Sequence, residues 1–131
     1  MIGLDTNILV RYFAQDDPAQ SRKANALIQN RLSEENPGFV SVVVMIEWVW
    51  VLARVYGLTP QNLSATIERM LQSDTFVIEH EQQVFTAMIA LKEGRGSFSD
   101  ALVTMLAARA GCSETLTFDR KALRLPGFVL L

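Results

Sequence analysis

The stretch Met1-Ile2-Gly3-Leu4-Asp5-Thr6-Asn7-Ile8-Leu9-Val10 decides the fold. Ile2 to Leu4 reads as a short buried strand that stops at Asp5. Short apolar runs of the same kind return at Phe39–Val40, at Glu114–Phe118 with Asp119 behind it, and at Phe128–Leu130. Thr75–Glu79 alternates as a strand does. Helical segments lie between them. Asp17-Pro18 places an N-cap before a proline at the first helical position and opens a helix to about Leu32. Ser41 caps a helix that holds Glu47, Trp48 and Trp50 and ends at Gly57. Thr59-Pro60 starts another through about Leu71. Glu81–Lys92 is helical, and Ser97 begins a helix that stops at Gly111. Asn36-Pro37-Gly38 and Pro126-Gly127 are turns, Gly94-Arg95-Gly96 is a flexible connection, and Ala122–Leu125 is one short helical turn. Apolar strands alternating with helices give the α/β class, a three-layer α/β/α sandwich around a short, mostly parallel central sheet.

Composition bounds the chemistry. The 131 residues are 50% hydrophobic and 20% charged, which suits a single globular domain over 1–131. One cysteine, Cys112, excludes an internal disulfide and a cysteine-based zinc site. One histidine, His80, excludes a multi-histidine metal site. Whatever chemistry the chain performs falls to carboxylates. The net charge of −2 lacks the uniform basic surface of many nucleic-acid binders, but a local basic patch suffices for binding. Asp5 interrupts the first apolar stretch, which no secretory leader tolerates, and the apolar run Phe39–Ala53 is broken by Ser41 and Glu47 and is too short to span a bilayer. The expected compartment is the cytoplasm, with no membrane partner.

Four carboxylates have unusual surroundings. Asp5 follows Ile-Gly-Leu, Glu47 lies within a run of valines and tryptophans, Asp100 follows Ser-Phe-Ser, and Asp119 follows Leu-Thr-Phe. At three and four residues from Glu47 on a helix stand Val43, Val44, Trp50 and Val51, none of which can pair with a carboxylate. Glu47 is therefore either buried with a distant partner or turned toward a polar cleft. Asp5 and Asp119 both end strands, at the edge where open parallel sheets bind ligands. Carboxylates that converge there need a cation, and oxygen-only ligands select a hard one, Mg²⁺ or Mn²⁺. Such ions suit phosphodiester hydrolysis, since they activate water and stabilise the leaving oxygen. Each residue also has a plain structural reading. Asp5-Thr6-Asn7 is an Asx turn capping a helix, Ser97 to Asp100 is a capping box in which Asp100 bonds back to the helix start, and Asp119 is a loop or cap residue.

Taken together, Leu4-Asp5-Thr6-Asn7 after an N-terminal strand, Glu47 in an apolar helix, Phe98-Ser99-Asp100-Ala101-Leu102 opening a late helix, and Thr117-Phe118-Asp119 after a late strand resemble the PIN domain family across essentially the whole chain. The compact length is most similar to VapC-type toxins of bacterial type II toxin–antitoxin pairs. The resemblance implies a Mg²⁺- or Mn²⁺-dependent endoribonuclease, a homodimer, an RNA substrate and a small antitoxin partner. It carries over Asp5, Glu47, Asp100 and Asp119 as the catalytic, metal-holding acids, with Thr6, Asn7, Ser99 and Thr117 as supporting polar groups. Many relatives carry a further aspartate three residues before the Asp100 position. Here that residue is Ser97, which leaves one metal or two as open alternatives.

Other residues have simpler expectations. His80 reads as a surface histidine and Cys112 as a small packed residue. Trp48 and Trp50 point to different sides of their helix, one for the core and the other near a subunit interface. Arg11, Arg95, Arg120, Lys121 and Arg124 are candidates to touch RNA phosphates, or are solvated surface charges. With the four carboxylates set aside, basic side chains outnumber acidic ones. Three other functions compete with the toxin reading. One is a PIN-fold nuclease of RNA processing. A second is a non-catalytic binding module, whose mark would be loss of an acidic position. The third is a phosphatase with Asp5 as nucleophile, which commonly needs a second aspartate where Asn7 stands.

Overall fold

Strands of two or three residues hold only as members of a sheet. The computed structural model describes Met1–Leu131. In it β1 (Ile2–Gly3), β2 (Gly38–Val40) and β3 (Phe76–Ile78) pair in parallel in that order, with Ile2 opposite Gly38 and Gly38 opposite Phe76. A second parallel ladder joins β4 (Thr115–Thr117) to β5 (Phe128–Leu130), with Thr115 opposite Phe128. All five expected strands form, within one residue at either end. The expected single sheet is thus two ladders by hydrogen bonding. The cause is the shortness of β1: the N–H groups of Ile2 and Leu4 both donate to the β2 side, to the carbonyls of Pro37 and Phe39 at 2.9 Å. Only Gly3 between them is left to face the other way.

Parallel pairing requires crossovers, and helices supply them. They are α1 (Thr6–Ala14), α2 (Pro18–Ala26), α3 (Val42–Arg54), α4 (Pro60–Gln72), α5 (Glu81–Lys92) and α6 (Phe98–Arg109). α1 packs on α2 and α3, while α5 lies against both α4 and α6. With the strands these complete a three-layer α/β/α fold. Most caps are the expected ones. Asp17 accepts from the Gln20 N–H, Thr59 from the Asn62 N–H and Ser97 from the Asp100 N–H. Two elements differ from expectation. The helix expected to reach Leu32 is regular only to Ala26, then widens into a π turn over Leu27–Arg31, closed by the Leu32 N–H on the Leu27 carbonyl at 3.0 Å. α1 is expected only as the unbounded helix that the Asp5-Thr6-Asn7 turn would cap, because its polar stripe is narrow, Asn7 and Arg11 beside Ile8-Leu9-Val10 and Tyr12-Phe13. Tertiary packing supplies what the pattern lacks. Leu9 and Val10 enter the core, and the Phe13 ring lies 4.9 Å from that of the fully buried Trp48 on α3.

Two links fix the elements that carry the acidic residues. At the far end of α1, Asp16 accepts from the Tyr56 hydroxyl at 2.6 Å and from Arg11 Nη1 at 3.1 Å, tying the α1–α2 turn to the end of α3. The Tyr56 hydrogen bond is the main cause that holds the Asp16 carboxyl below the usual aspartate range, and the same bond raises the Tyr56 phenol. On the other side, Thr104 of α6 donates to the Pro126 carbonyl at 3.1 Å. Gly127 follows with φ of +96°, so close that a Cβ there would collide with the Thr104 hydroxyl. Leu125 is buried over Gly96, where a Cβ would lie 2.6 Å from its methyl group. These contacts hold the segment from Asp119 to Gly127 against the start and middle of α6.

Gly127→Ala meets both a left-handed backbone and the Thr104 hydroxyl, and should lower stability by about 1–3 kcal/mol, read as a shift in the midpoint of urea unfolding; an unshifted midpoint would show that this turn does not lock α6. Asp16 has a lowered folded-state pKa, so its contribution is fully present above the ordinary aspartate value of about 3.9 and is lost as pH falls through the lowered one. Asp16→Asn should therefore flatten the acid limb of the stability–pH curve, and Tyr56→Phe should flatten it as well. An unchanged acid limb in both variants would contradict the assignment.

Candidate active site

The C-terminal ends of β1, β2 and β3 lie on one edge of their ladder because the strands are parallel, and Asp5, Ser41 and Glu79 follow there. Asp5 caps α1, accepting the Thr6 N–H on Oδ1 at 2.7 Å. Thr6 is buried, and its hydroxyl donates to Glu47 Oε2 at 2.9 Å. One threonine thus joins Asp5 to a glutamate 41 residues away. The distant partner expected for Glu47 is a hydroxyl rather than a cation. The side chain is exposed, not buried, so the apolar neighbours on its helix do not enclose it.

Glu79 was not among the candidate residues. Its Oε1 accepts the Val42 N–H at 2.9 Å, while the Ser41 hydroxyl accepts the Val44 N–H at 3.2 Å. The helix that carries Glu47 therefore has two caps, one of them from another strand. The only sequence signal was a glutamate at a strand's end, the position that also marks Asp5.

Asp100 and Asp119 meet across the other part of the structure. They line one cleft of ≈ 650 Å³ together with Arg95, Arg120, Lys121 and Arg124, and no hydrophobic residue contributes to it. Asp119 caps the short 3₁₀ turn Arg120–Arg124, accepting the Lys121 N–H at 2.9 Å, and its own N–H donates to Thr117 Oγ1 at 3.0 Å. The expected capping box is only half formed. Ser97 accepts the Asp100 N–H at 3.1 Å, but the Asp100 carboxylate makes no return bond and stands free. Of the supporting groups, Thr6 and Thr117 bond as described and Ser99 lies 3.3 Å from Ser97 across their hydroxyls. Asn7 is exposed and makes no side-chain hydrogen bond. Among the cations, Arg11 is drawn away to Asp16 and Gln20, and Arg95 pairs with Glu93 at 2.9 Å. Cys112 is exposed, not packed, since the chain turns outward at Gly111 with φ of +98°. His80 is half-buried in the left-handed region with φ of +52°, and its side chain caps nothing.

Asp100 also lines a neighbouring groove of ≈ 460 Å³ with Ile46, Trp50 and Phe98, so it reaches the α3 residues on either side of Glu47. Nowhere do three acidic, histidine or cysteine side chains gather closely enough to hold a metal ion by themselves. The donor chemistry still fits a hard divalent cation. Asp5, Glu47 and Asp119 each keep a carboxylate oxygen without a hydrogen bond, and Asp100 keeps both. Mg²⁺ ordinarily takes one or two carboxylates and retains water or substrate phosphate for its other positions, so it does not need a closed protein cage.

Acidic residues placed at strand ends and helix starts of an α/β/α fold define a class of open-cleft acidic domains. Within that class this chain belongs to the PIN domain family, whose profile matches residues 2–127. A relative from Aquifex aeolicus (strain VF5), the VapC ribonuclease, is 25% identical over 125 residues, spanning 93% of this chain and 90% of its own.

The Thr6–Glu47 bond can be tested without a substrate. Thr6→Val keeps the shape and removes the donor, and should cost about 1 kcal/mol, the value of an ordinary hydrogen bond, because the Glu47 charge is exposed. Thr6→Ser should retain most of it. Equal urea midpoints for the Val variant and wild type would remove this link between α1 and α3.

Proposed function

We propose that the chain is a divalent-metal-dependent endoribonuclease acting as the toxin of a type II toxin–antitoxin pair, with residues 1–131 forming one nuclease domain. The observation that carries this reading is the set of four carboxylates, each with a free oxygen, presented from four separate elements. PIN family membership and the resemblance to a VapC ribonuclease support the same reading.

In this reading Asp5, Glu47, Asp100 and Asp119 would hold Mg²⁺ or Mn²⁺ through their free oxygens. When bound, the ion supplies charge stabilisation to the phosphate and makes a nucleophile of water at neutral pH. The chain's own residues orient and exchange protons. Thr6 Oγ1 fixes Glu47 by donating to Oε2, which leaves Oε1 to accept a proton from the attacking water. The new bond joins the water oxygen to phosphorus, the bond to the leaving oxygen breaks, and the proton taken by Glu47 passes through solvent water to that oxygen, which restores the carboxylate. Ser97 occupies the position where many relatives carry another acid. Its hydroxyl is neutral and caps α6, so it adds no carboxylate for a second ion.

The same reading makes the protein a homodimer held in check by a small antitoxin. Large apolar side chains that stay exposed, Phe85, Val103 and Phe118 among them, support subunit or antitoxin contacts. No helix is long and apolar enough to cross a membrane, and the proposed site of action is the cytoplasm.

Incubation with total RNA, with Mg²⁺ or Mn²⁺ and with excess chelator, followed by mapping of the cut ends, tests the proposal. Asp5→Asn and Asp100→Asn should each abolish cleavage while leaving the far-ultraviolet spectrum unchanged. Wild-type rates in either purified variant, or in chelator, would overturn the metal mechanism.

A further inference from the structure

Two hollows of opposite character share Ser97 and Asp100 as a common wall. On one side lies the cleft without a hydrophobic residue. Arg120, Lys121 and Arg124 are exposed there and form no ion pair, since the chain's two ion pairs involve Arg11 and Arg95. On the other side lies a mostly apolar groove, lined also by the exposed Arg54, and it carries Trp50 with 60% of its surface exposed. The neighbouring Trp48 is wholly buried, so packing does not account for a second tryptophan on this helix.

A ligand that spans the wall needs a multiply charged anionic part and a flat apolar part joined by a short connection. A nucleotide within an RNA strand has that form. We propose that Trp50 is a stacking platform for the base beside the cut and that Arg120, Lys121 and Arg124 hold the phosphates of the same strand, with Asp100 between them. The assignment rests on the ribonuclease reading above and adds the residues that position the strand. Charge complementarity selects the occupant. Three unpaired cations continue the apolar groove past Asp100, whereas an apolar protein surface seated on Trp50 would leave them unmatched. A base can reach Trp50 only when it is unstacked, so the strand is single at this point. Base–aromatic stacking tolerates any base, and contact with phosphate carries no sequence. These four residues therefore position the strand without choosing the site of the cut.

The test measures binding of a fluorescein-labelled oligouridylate to the full chain in excess chelator, by anisotropy, with intrinsic tryptophan fluorescence as a second readout. Wild type should bind and its fluorescence should fall on titration. Trp50→Ala should weaken binding about tenfold, and Trp50→Phe should restore it, while neither shows quenching because Trp48 is shielded. Replacing Arg120, Lys121 and Arg124 together by Gln should weaken binding and reduce the slope of log K against log salt by about 2, from about 0.7 per single-strand phosphate contact. Inorganic polyphosphate, which has no base, should compete equally on wild type and Trp50→Ala. Absence of binding by wild type, undiminished binding by Trp50→Ala, or an unchanged salt slope in the triple variant would each overturn the assignment. So would a lower light-scattering mass for Trp50→Ala with RNA affinity intact, which would make Trp50 a subunit contact. Cleavage distinguishes the two proposals. A wild type that binds as described but cuts no RNA ends the nuclease reading alone, and one that cuts while ignoring these substitutions ends this assignment alone.

Discussion

Negative charge presented on a protein surface has to be held, and in this fold the beginnings of helices hold it. Asp5 caps α1, Asp119 caps the 3₁₀ turn, and Asp100 is the third residue of α6 behind its Ser97 cap. Unpaired N–H groups and the helix dipole favour an anion there by roughly 0.3–1 kcal/mol at an exposed position. A parallel α/β topology ends each strand where the next helix starts, so the edge that presents carboxylates is the edge that stabilises them. Glu47 is the exception, in the second turn of α3 and beyond the reach of the helix start. Its charge is held by the Thr6 hydroxyl, which is itself in the first residue of α1.

The same logic separates acids that hold structure from acids left free. Glu79 stands at the same strand edge as Asp5, yet its carboxylate closes the start of α3 from a neighbouring strand. Asp100 does the reverse: a serine caps its helix, and both of its oxygens stay free. The segment that brings Asp119 toward it depends on two small residues. Gly96 leaves room for the Leu125 side chain, and Gly127 leaves room for the Thr104 hydroxyl. A methyl group at either position would press the segment away from α6.

Features set by adjacent residues were legible in the sequence. Asp17-Pro18, Thr59-Pro60, Ser41 and Ser97 mark helix starts because a cap reads only the next three residues, and the strands stand out as short apolar runs between such marks. The extent of α1 was not legible. Its polar stripe is only Asn7 and Arg11, too narrow to bound a helix, and the ring contact of Phe13 with Trp48 that fixes it is tertiary. The second cap on α3 is likewise set by a partner far along the chain, Glu79, 37 residues from Val42. For the site, the sequence marked four acidic positions and an expected convergence at the strand edge, but not which of them pair. Asp5 with Glu47 through a threonine, and Asp100 with Asp119 across a basic cleft, are facts of the folded chain. The charge total hid the basic cleft, because a net charge of −2 says nothing about where the cations collect.

The Thr6–Glu47 bond spans 41 residues, and the cleft wall shared by Asp100 and Asp119 joins an internal helix to a strand end from a different ladder. Closing such long loops carries an entropic cost that only the finished fold offsets. The acidic constellation therefore has no local precursor. A fragment, a nascent chain or a partly unfolded one holds the same four residues as ordinary, separately solvated acids. Whatever these carboxylates do together requires the finished fold, and losing the fold separates them again.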